Sequence, residues 1–279
     1  MEAKKQKPQK PRTKGASAML VIIGCAIVAH LFFYLYCGNG KFWNVGGPGS
    51  LFDDKGHPID GNMFATLYQG GFVIPIVMTL LLTVFALSVE RFFALNKASG
   101  KGSIAKFVMN AQNKLDAGDI AGAEKLCDEQ KGSVANILKA GLIRYKDVEN
   151  YPNLNNEEKA SIIEKEIEEA TTLELPYLEQ NLPVIATISS LGTLFGLLGT
   201  VLGMIKSFAA LATEGAPDSV ALSLGISEAL MNTAMGIGTG AAAIIAYGYF
   251  SARVQNITNA VDEVGFAIGQ TFTKKHGLK

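Results

Sequence analysis

The chain has 279 residues and a formal net charge of zero, and 48% of its residues are hydrophobic while only 18% are charged. Soluble domains carry about a quarter charged residues, so this composition indicates a membrane protein. The even charge balance excludes the basic face that nucleic-acid binding requires.

Four long apolar stretches predict an all-α, polytopic membrane protein with four transmembrane helices and a cytoplasmic helical segment. The stretches are residues 18–37, 70–95, 182–211 and 220–252. A helix needs about 20 apolar residues to cross a bilayer, and its backbone must satisfy its own hydrogen bonds there. The first stretch follows a basic tail (1–17) but is longer than the apolar core of a signal peptide, so we expect a retained helix.

The lysines and arginines predict how the helices are oriented. The tail carries six of them and segment 96–181 carries eleven, whereas the link 38–69 carries two and the link 212–219 carries none. Positive charge marks the cytoplasmic side. We therefore expect both termini in the cytoplasm, together with segment 96–181 and a C-terminal helix or tail over 253–279. Both links are then periplasmic.

Prolines and turn residues divide the sequence further. Pro75 lies within the second stretch and predicts a kink there. Four amphipathic helices are predicted in the cytoplasmic segment, over 104–115, 120–129, 133–145 and 155–175. Asn155 or Asn156 is the expected N-cap of the last one. Pro176 and Pro183 predict an interruption before the third apolar stretch.

The third stretch carries a row of glycines and a row of hydroxyls. The glycines, at spacings of four, three and four, are Gly192, Gly196, Gly199 and Gly203. Such a stripe lets another helix approach closely, either within one subunit or between subunits. Thr193, Thr200 and Ser207 recur every seven residues. Their hydroxyls either bond the carbonyl four residues earlier or face an ion pathway.

The fourth stretch carries a carboxylate, Glu228, which is costly inside a membrane and indicates a functional site unless water reaches it near the outer surface. Lys206, near the outer end of the third stretch, either pairs with Glu228 or snorkels to the interface. Asn232 shares the face of Glu228, and Thr233 lies on the adjoining row. The candidate ion-pathway residues are Thr193, Thr200, Glu228, Asn232 and Thr233.

Three sequence blocks resemble the ExbB/TolQ/MotA proton-channel family. GLLGTVLGMIKSF (196–208) is similar to the family signature, and GISEALMNTAMGI (225–237) is similar to the second block of the ExbB/TolQ branch. SVERFFAL (88–95) resembles the arginine-bearing exit of the preceding family helix. The ExbB/TolQ branch is the better match, because stators of the MotA type differ in the second block.

This resemblance implies the pore-forming, stator-like subunit of a proton channel in the bacterial inner membrane. A homopentamer would surround the membrane helices of two copies of an ExbD- or TolR-like partner, and an aspartate of that partner would carry the proton. The proton motive force would then drive work on a TonB- or TolA-like transducer. By motif position, Thr200 and Thr233 match family threonines that face the aspartate, and Glu228 matches the family glutamate.

The chain departs from the family pattern at two points. Thr193 stands where the family has a proline, and helix 18–37 is additional to the family core, so its role does not follow from the resemblance. A motility-motor stator and a solute transporter remain alternative functions, although the inverted repeats of many transporters are not visible.

We expect no enzyme, because the sequence shows neither a nucleophile with its base nor a phosphate-binding loop. The three cysteines and three histidines are scattered, so we expect no metal and no cofactor. The choice between proton and sodium stays open, as does the client system.

Overall fold

The computed structural model describes residues 17–38, 51, 62–212 and 219–277. Helices hold 89% of these residues, and none of them lies in a strand. Four stretches of this described part are long and apolar enough to cross a membrane: Ala18–Cys37, Val73–Asp116, Asn156–Ala209 and Leu222–His276. The prediction of an all-α, polytopic protein is confirmed.

Nine α-helices follow one another along the described residues. They are α1 (Ala18–Leu31), α2 (Met63–Gln69), α3 (Val73–Ser99), α4 (Ile104–Asp116), α5 (Ile120–Gln130), α6 (Ser133–Glu149), α7 (Asn156–Glu179), α8 (Leu182–Ala212) and α9 (Ser219–His276). Helix α1 continues into a wider π-helical turn, Phe32–Cys37. The basic tail, Lys41, Lys55 and most of the link after α8 lie outside the described residues.

The chain divides into two compact units. The apolar unit consists of Ala18–Phe92 and Asn181–Arg253, and the polar unit includes Phe93–Gln180 and the chain from Val254 onward. Helices α3 and α9 contribute residues to both units. All the candidate site residues lie in the apolar unit.

In the apolar unit, the π-helical turn that follows α1 contacts the other helices. The rings of Phe33 and Tyr68 stack with their centroids 5.0 Å apart. Phe33, Leu67 and Ile74 form a buried cluster, against which methionines of α9 pack. Most large apolar side chains of α1 are exposed, as expected of a helix whose sides face lipid.

In the polar unit, the four predicted helices are present as α4 to α7, and each begins within one residue of its predicted start. Asn155 is the N-cap of α7 and forms a capping box with Glu158. The Glu158 N–H donates to Asn155 Oδ1 at 2.7 Å, and the Asn155 N–H donates to Glu158 Oε2 at 2.9 Å. This reciprocal pair satisfies two backbone donors that a helix start otherwise leaves open.

The predicted interruption before the third apolar stretch is present, because α7 ends at Glu179 and α8 begins at Leu182, but the kink predicted at Pro75 was wrong. Pro75 lies in the first turn of α3 and Pro183 in the first turn of α8, where a helix has no N–H bond to lose. Pro176 lies in the last turn of α7, which continues to Glu179. The chain turns instead at Gly71 and Asn181, which have φ values of 71° and 65°. Glycine and asparagine adopt this left-handed conformation more readily than other residues.

Candidate ion-pathway site between α8 and α9

Helices α8 and α9 meet along a seam of small residues within one subunit. The four glycines of the predicted stripe are buried and face Gly225, Ala229, Asn232, Gly236 and Gly240 of α9. A Cβ atom on Gly236 would lie 2.5 Å from Gly196 Cα and 2.6 Å from Gly192 O. The backbones therefore touch with no room for a side chain. Of the two alternatives for the stripe, the structure places it between helices of the same subunit.

This close approach brings the hydroxyls of Thr200 and Thr233 into hydrogen-bond contact across the seam. Thr200 Oγ1 also lies 3.2 Å from the carbonyl oxygen of Gly196, and Thr233 Oγ1 lies 3.5 Å from the same oxygen. Each hydroxyl has one proton to donate and two lone pairs. One threonine can therefore donate to the other, which in turn donates to the carbonyl, and the direction of this chain can reverse.

The other hydroxyls of the predicted row do not join this pair. Thr193 is exposed and lies 3.3 Å from the carbonyl oxygen of Ser189, and Ser207 is buried and lies 3.0 Å from that of Gly203. Both are bonds to the carbonyl four residues earlier, the alternative that needs no ion pathway. Thr200 also makes such a bond, but of the three it alone contacts a hydroxyl of α9.

Asn232 occupies the seam beside the threonine pair. Its side chain is 1% exposed, and neither Oδ1 nor Nδ2 has a hydrogen-bond partner among the described residues. A Cβ atom on Gly199 would overlap the Cβ atom and amide carbon of Asn232. Leaving a buried polar group unpaired costs about 1–3 kcal/mol. The sequence indicated the position of this amide but not its lack of a partner.

Glu228 and Lys206 form an ion pair with an Nζ–Oε1 distance of 2.7 Å. The Glu228 side chain is 13% exposed, whereas that of Lys206 is 58% exposed. Gly71, in the turn before α3, lies so close that a Cβ atom there would be 2.7 Å from Glu228 Oε1. Lys206 therefore pairs with Glu228 and also reaches the surface, so the two alternatives for Lys206 are not exclusive.

The ion pair leads to a prediction about stability. Replacing Lys206 by Met leaves the Glu228 carboxylate mostly buried without its cation. We expect the free energy of unfolding to fall by about 1 kcal/mol. This loss is smaller than the usual contribution of a charged hydrogen bond to stability, because the Lys206 ammonium is more than half exposed. The double variant Lys206→Glu, Glu228→Lys, which swaps the two charges, should recover more than half of this loss.

Thermal unfolding of the purified protein in detergent measures both effects. Lys165→Met is the matched control, because the exposed pair of Lys165 with Glu169 is 4.0 Å long and should contribute little. An unchanged melting temperature for Lys206→Met would mean that the ammonium is only hydrated.

A second buried ionic cluster was missed in the sequence. The side chain of Arg91 is 0% exposed, and its Nε donates to Glu90 Oε2 at 2.6 Å. Glu90 Oε2 also accepts a hydrogen bond from Asn181 Nδ2 at 3.2 Å. The adjacent opposite charges in SVERFFAL were a signal for this pair, but only the fold brings Asn181 to it. Among the described residues, no group of His, Cys, Asp or Glu is suited to hold a metal ion.

Comparison with known proteins shows which family this chain resembles. Residues 129–263 match the model of the MotA/TolQ/ExbB proton channel family. The Tol-Pal system protein TolQ of Pseudomonas aeruginosa is 27% identical over 197 residues, which cover 69% of this chain and 84% of that protein. The resemblance to the MotA/TolQ/ExbB proton channel family is thus confirmed. The matched family is one of proton channels and is not a known family of enzymes.

Other relatives support the ExbB/TolQ branch of the family. TolQ of Haemophilus influenzae is 36% identical over 98 residues, which cover 34% of this chain and 43% of the relative. The biopolymer transport protein ExbB of Salmonella typhimurium is 25% identical over 156 residues, or 55% of this chain and 64% of the relative. The branch predicted from the blocks in α8 and α9 is thus confirmed.

Proposed function

We propose that the chain is the pore-forming, stator-like subunit of an inner-membrane proton channel that converts the proton motive force into work. The observation that carries this proposal is the contact between Thr200 and Thr233 across the α8–α9 seam. A reversible pair of hydroxyls can accept a proton on one side and release another on the opposite side. The proton channel family that residues 129–263 match supports the same function.

The proton carrier comes from a partner chain. Within the described residues of the four apolar stretches that the sequence predicted, 18–37, 70–95, 182–211 and 220–252, the carboxylates are Glu90 and Glu228. Each is paired with a cation. Both carboxylates are therefore already engaged with a cation of the same subunit, Arg91 for Glu90 and Lys206 for Glu228. The partner is an ExbD- or TolR-like protein whose single membrane helix presents an aspartate to the threonine pair.

The assembly is a homopentamer around two such partner helices. The threonine pair of each subunit would then form part of one polar ring, and rotation would hydrate or desolvate the partner aspartate. Desolvation raises the pKa of a carboxyl group and hydration lowers it, so movement and protonation are coupled. The client is a TonB- or TolA-like transducer, which agrees with the names of the TolQ and ExbB relatives.

Proton flux tests this function directly. The chain is purified together with an ExbD- or TolR-like single-helix protein and placed in liposomes with an internal pH-sensitive dye. An imposed pH gradient should dissipate rapidly with both proteins, and slowly when the partner aspartate is replaced by asparagine. A sodium gradient in place of the pH gradient identifies the ion. Equal flux with the asparagine partner would contradict the proposal.

The proposed orientation makes a separate prediction, with both termini and the polar unit in the cytoplasm. In a variant lacking its three native cysteines, a membrane-impermeant maleimide should label Lys55→Cys in intact spheroplasts. Lys125→Cys, an exposed position in the polar unit, should react only after the membrane is opened. Labelling of position 125 in intact cells would reverse the orientation.

A further inference from the structure

Asn232 is one of the candidate ion-pathway residues, but what its amide binds there is not yet assigned. It is buried in the α8–α9 seam, and both of its polar atoms are unpaired among the described residues. Other buried polar groups of the seam have partners in their own helices. Thr239 Oγ1 donates to the carbonyl of Met235 at 2.9 Å, and Ser207 Oγ donates to that of Gly203 at 3.0 Å. Asn232 is therefore the exception.

The surroundings of Asn232 place this amide next to the threonine pair. Asn232 precedes Thr233 in α9, and its amide packs on Gly199, which precedes Thr200 in α8. The contact with Gly199 also fixes the side chain, because the amide carbon lies against the backbone. A small ligand held by this amide would adjoin the hydroxyl pair.

We propose that Asn232 binds a buried water molecule that extends the Thr200–Thr233 pair into a longer proton path. This proposal rests on the proposed function and assigns a new positioning residue to it. A carboxamide offers two N–H donors and one carbonyl acceptor, and water complements both kinds of group. A metal cation would satisfy the carbonyl alone, and an anion would satisfy the N–H groups alone. Buried waters in proteins are typically held by such unpaired polar groups.

The water acts as a relay and is not consumed. It takes up a proton from one neighbour and releases a different proton to the next, so its composition is the same after each transfer. Asn232 itself neither gains nor loses a proton. Its amide orients the water so that a lone pair or an O–H bond faces the threonine hydroxyls.

Solid-state NMR of the full-length protein in lipid bilayers tests the bound water without any partner or ion flux. Magnetisation is transferred from water protons to the side-chain 15N of Asn232, and the rate is compared with that of the buried Ala243 amide. We expect Asn232 to receive magnetisation at least about threefold faster than Ala243. An equally slow rate would overturn the proposal, whatever the flux measurements give.

The variant Asn232→Leu tests the relay role in the complete channel complex. Leucine has a similar branched shape but cannot hold water, so we expect proton flux to fall at least about tenfold while oligomer size and melting temperature are retained. Thr239→Val is the matched control, since it removes a buried hydroxyl of the same helix that already bonds Met235; flux should stay within about twofold.

The two measurements separate the possible outcomes. Fast transfer to Asn232 together with full flux in Asn232→Leu would overturn the relay role, even though the water is bound. If the leucine variant does not fold, the NMR rate in the unaltered protein still decides whether water is present. Failure of the proposed function would appear instead as full flux in the Thr200 and Thr233 variants.

Discussion

Replacing Thr200 or Thr233 by valine will abolish ion-driven function, with a loss of about 100-fold or more in proton flux, the lower end of what a positioned proton-transfer group contributes. Valine has the shape of threonine but neither a donor nor an acceptor. Either substitution breaks the contact between the hydroxyls of α8 and α9, so a proton can no longer pass between these two side chains.

Stability should change far less than flux in these variants. Hydrogen bonds between membrane helices contribute about 0.6 kcal/mol on average, so the folded oligomer should persist. Thr187→Val is the matched control, because Thr187 lies on α8, is exposed and donates only to the Pro183 carbonyl four residues earlier in the contacts observed. Its flux should remain normal.

Proton flux in liposomes, activity of the client system and native mass in detergent are measured together for the three variants. Full activity in both Thr200→Val and Thr233→Val would show that the hydroxyl contact is only a packing feature. Glu228→Gln should have a more variable effect, because it weakens the Lys206 pair without touching the threonines. Together, the four variants distinguish residues that carry protons from residues that only stabilise the helices.

Replacing Gly236 by leucine will prevent α8 and α9 from packing and will give little or no folded protein. A side chain at Gly236 meets Gly196 Cα at 2.5 Å and the Gly192 carbonyl at 2.6 Å. Overpacking against side chains costs about 1–3 kcal/mol. Here the obstacles are backbone atoms, which cannot rotate away, so the cost should exceed about 3 kcal/mol.

Gly238, on the same helix, is the control for this effect. Gly238 lies on the same helix only two residues away, but a Cβ atom there would meet nothing within 4 Å. Gly238→Leu should therefore fold normally and change stability by no more than about 1 kcal/mol, the difference in helix propensity. Yield of the monodisperse oligomer and its melting temperature measure both variants. Equal yields would mean that the helices separate enough to admit a side chain.

The helices could be predicted from the sequence because their signals are local. Apolar stretches long enough to cross a bilayer can only be helices in lipid, so their number followed from length and composition. In the polar unit, the turns at Gly118 and Gly132 separate the amphipathic stretches, and both residues have positive φ. Such signals depend on the few residues around them.

The predicted kink at Pro75 failed because it depended on a helix boundary that the sequence does not define well. Pro75 kinks a helix that starts at residue 70 but is harmless in one that starts at Val73. A shift of three residues in the start of the helix therefore reverses the expected effect of the same proline. The turn that precedes α3 contains Gly71, which has a φ of 71° and lies close to Glu228 of a helix far along the chain.

The candidate site was only partly predictable from the sequence, because its properties come from contacts between helices. Similar distances from the link placed Thr200 and Thr233 at similar depths, but their contact depends on the glycine seam. Thr193 lies on the same heptad row as Thr200 and yet is exposed. Its hydroxyl lies beside Gly240 of α9, where a Cβ atom would be 2.7 Å from Thr193 Oγ1, and a glycine has no hydroxyl to offer.

The cluster of Glu90, Arg91 and Asn181 has a consequence for how the chain is made. A ribosome completes α3 well before it reaches Asn181, since 91 residues separate Asn181 from Glu90. During that interval, Arg91 must enter or border the lipid without its later neighbours. Glu90 is its direct neighbour in the chain, so the ion pair of the folded protein can form before any later helix is made. The helix therefore carries its own counter-ion during membrane insertion, and this stage does not wait for α8.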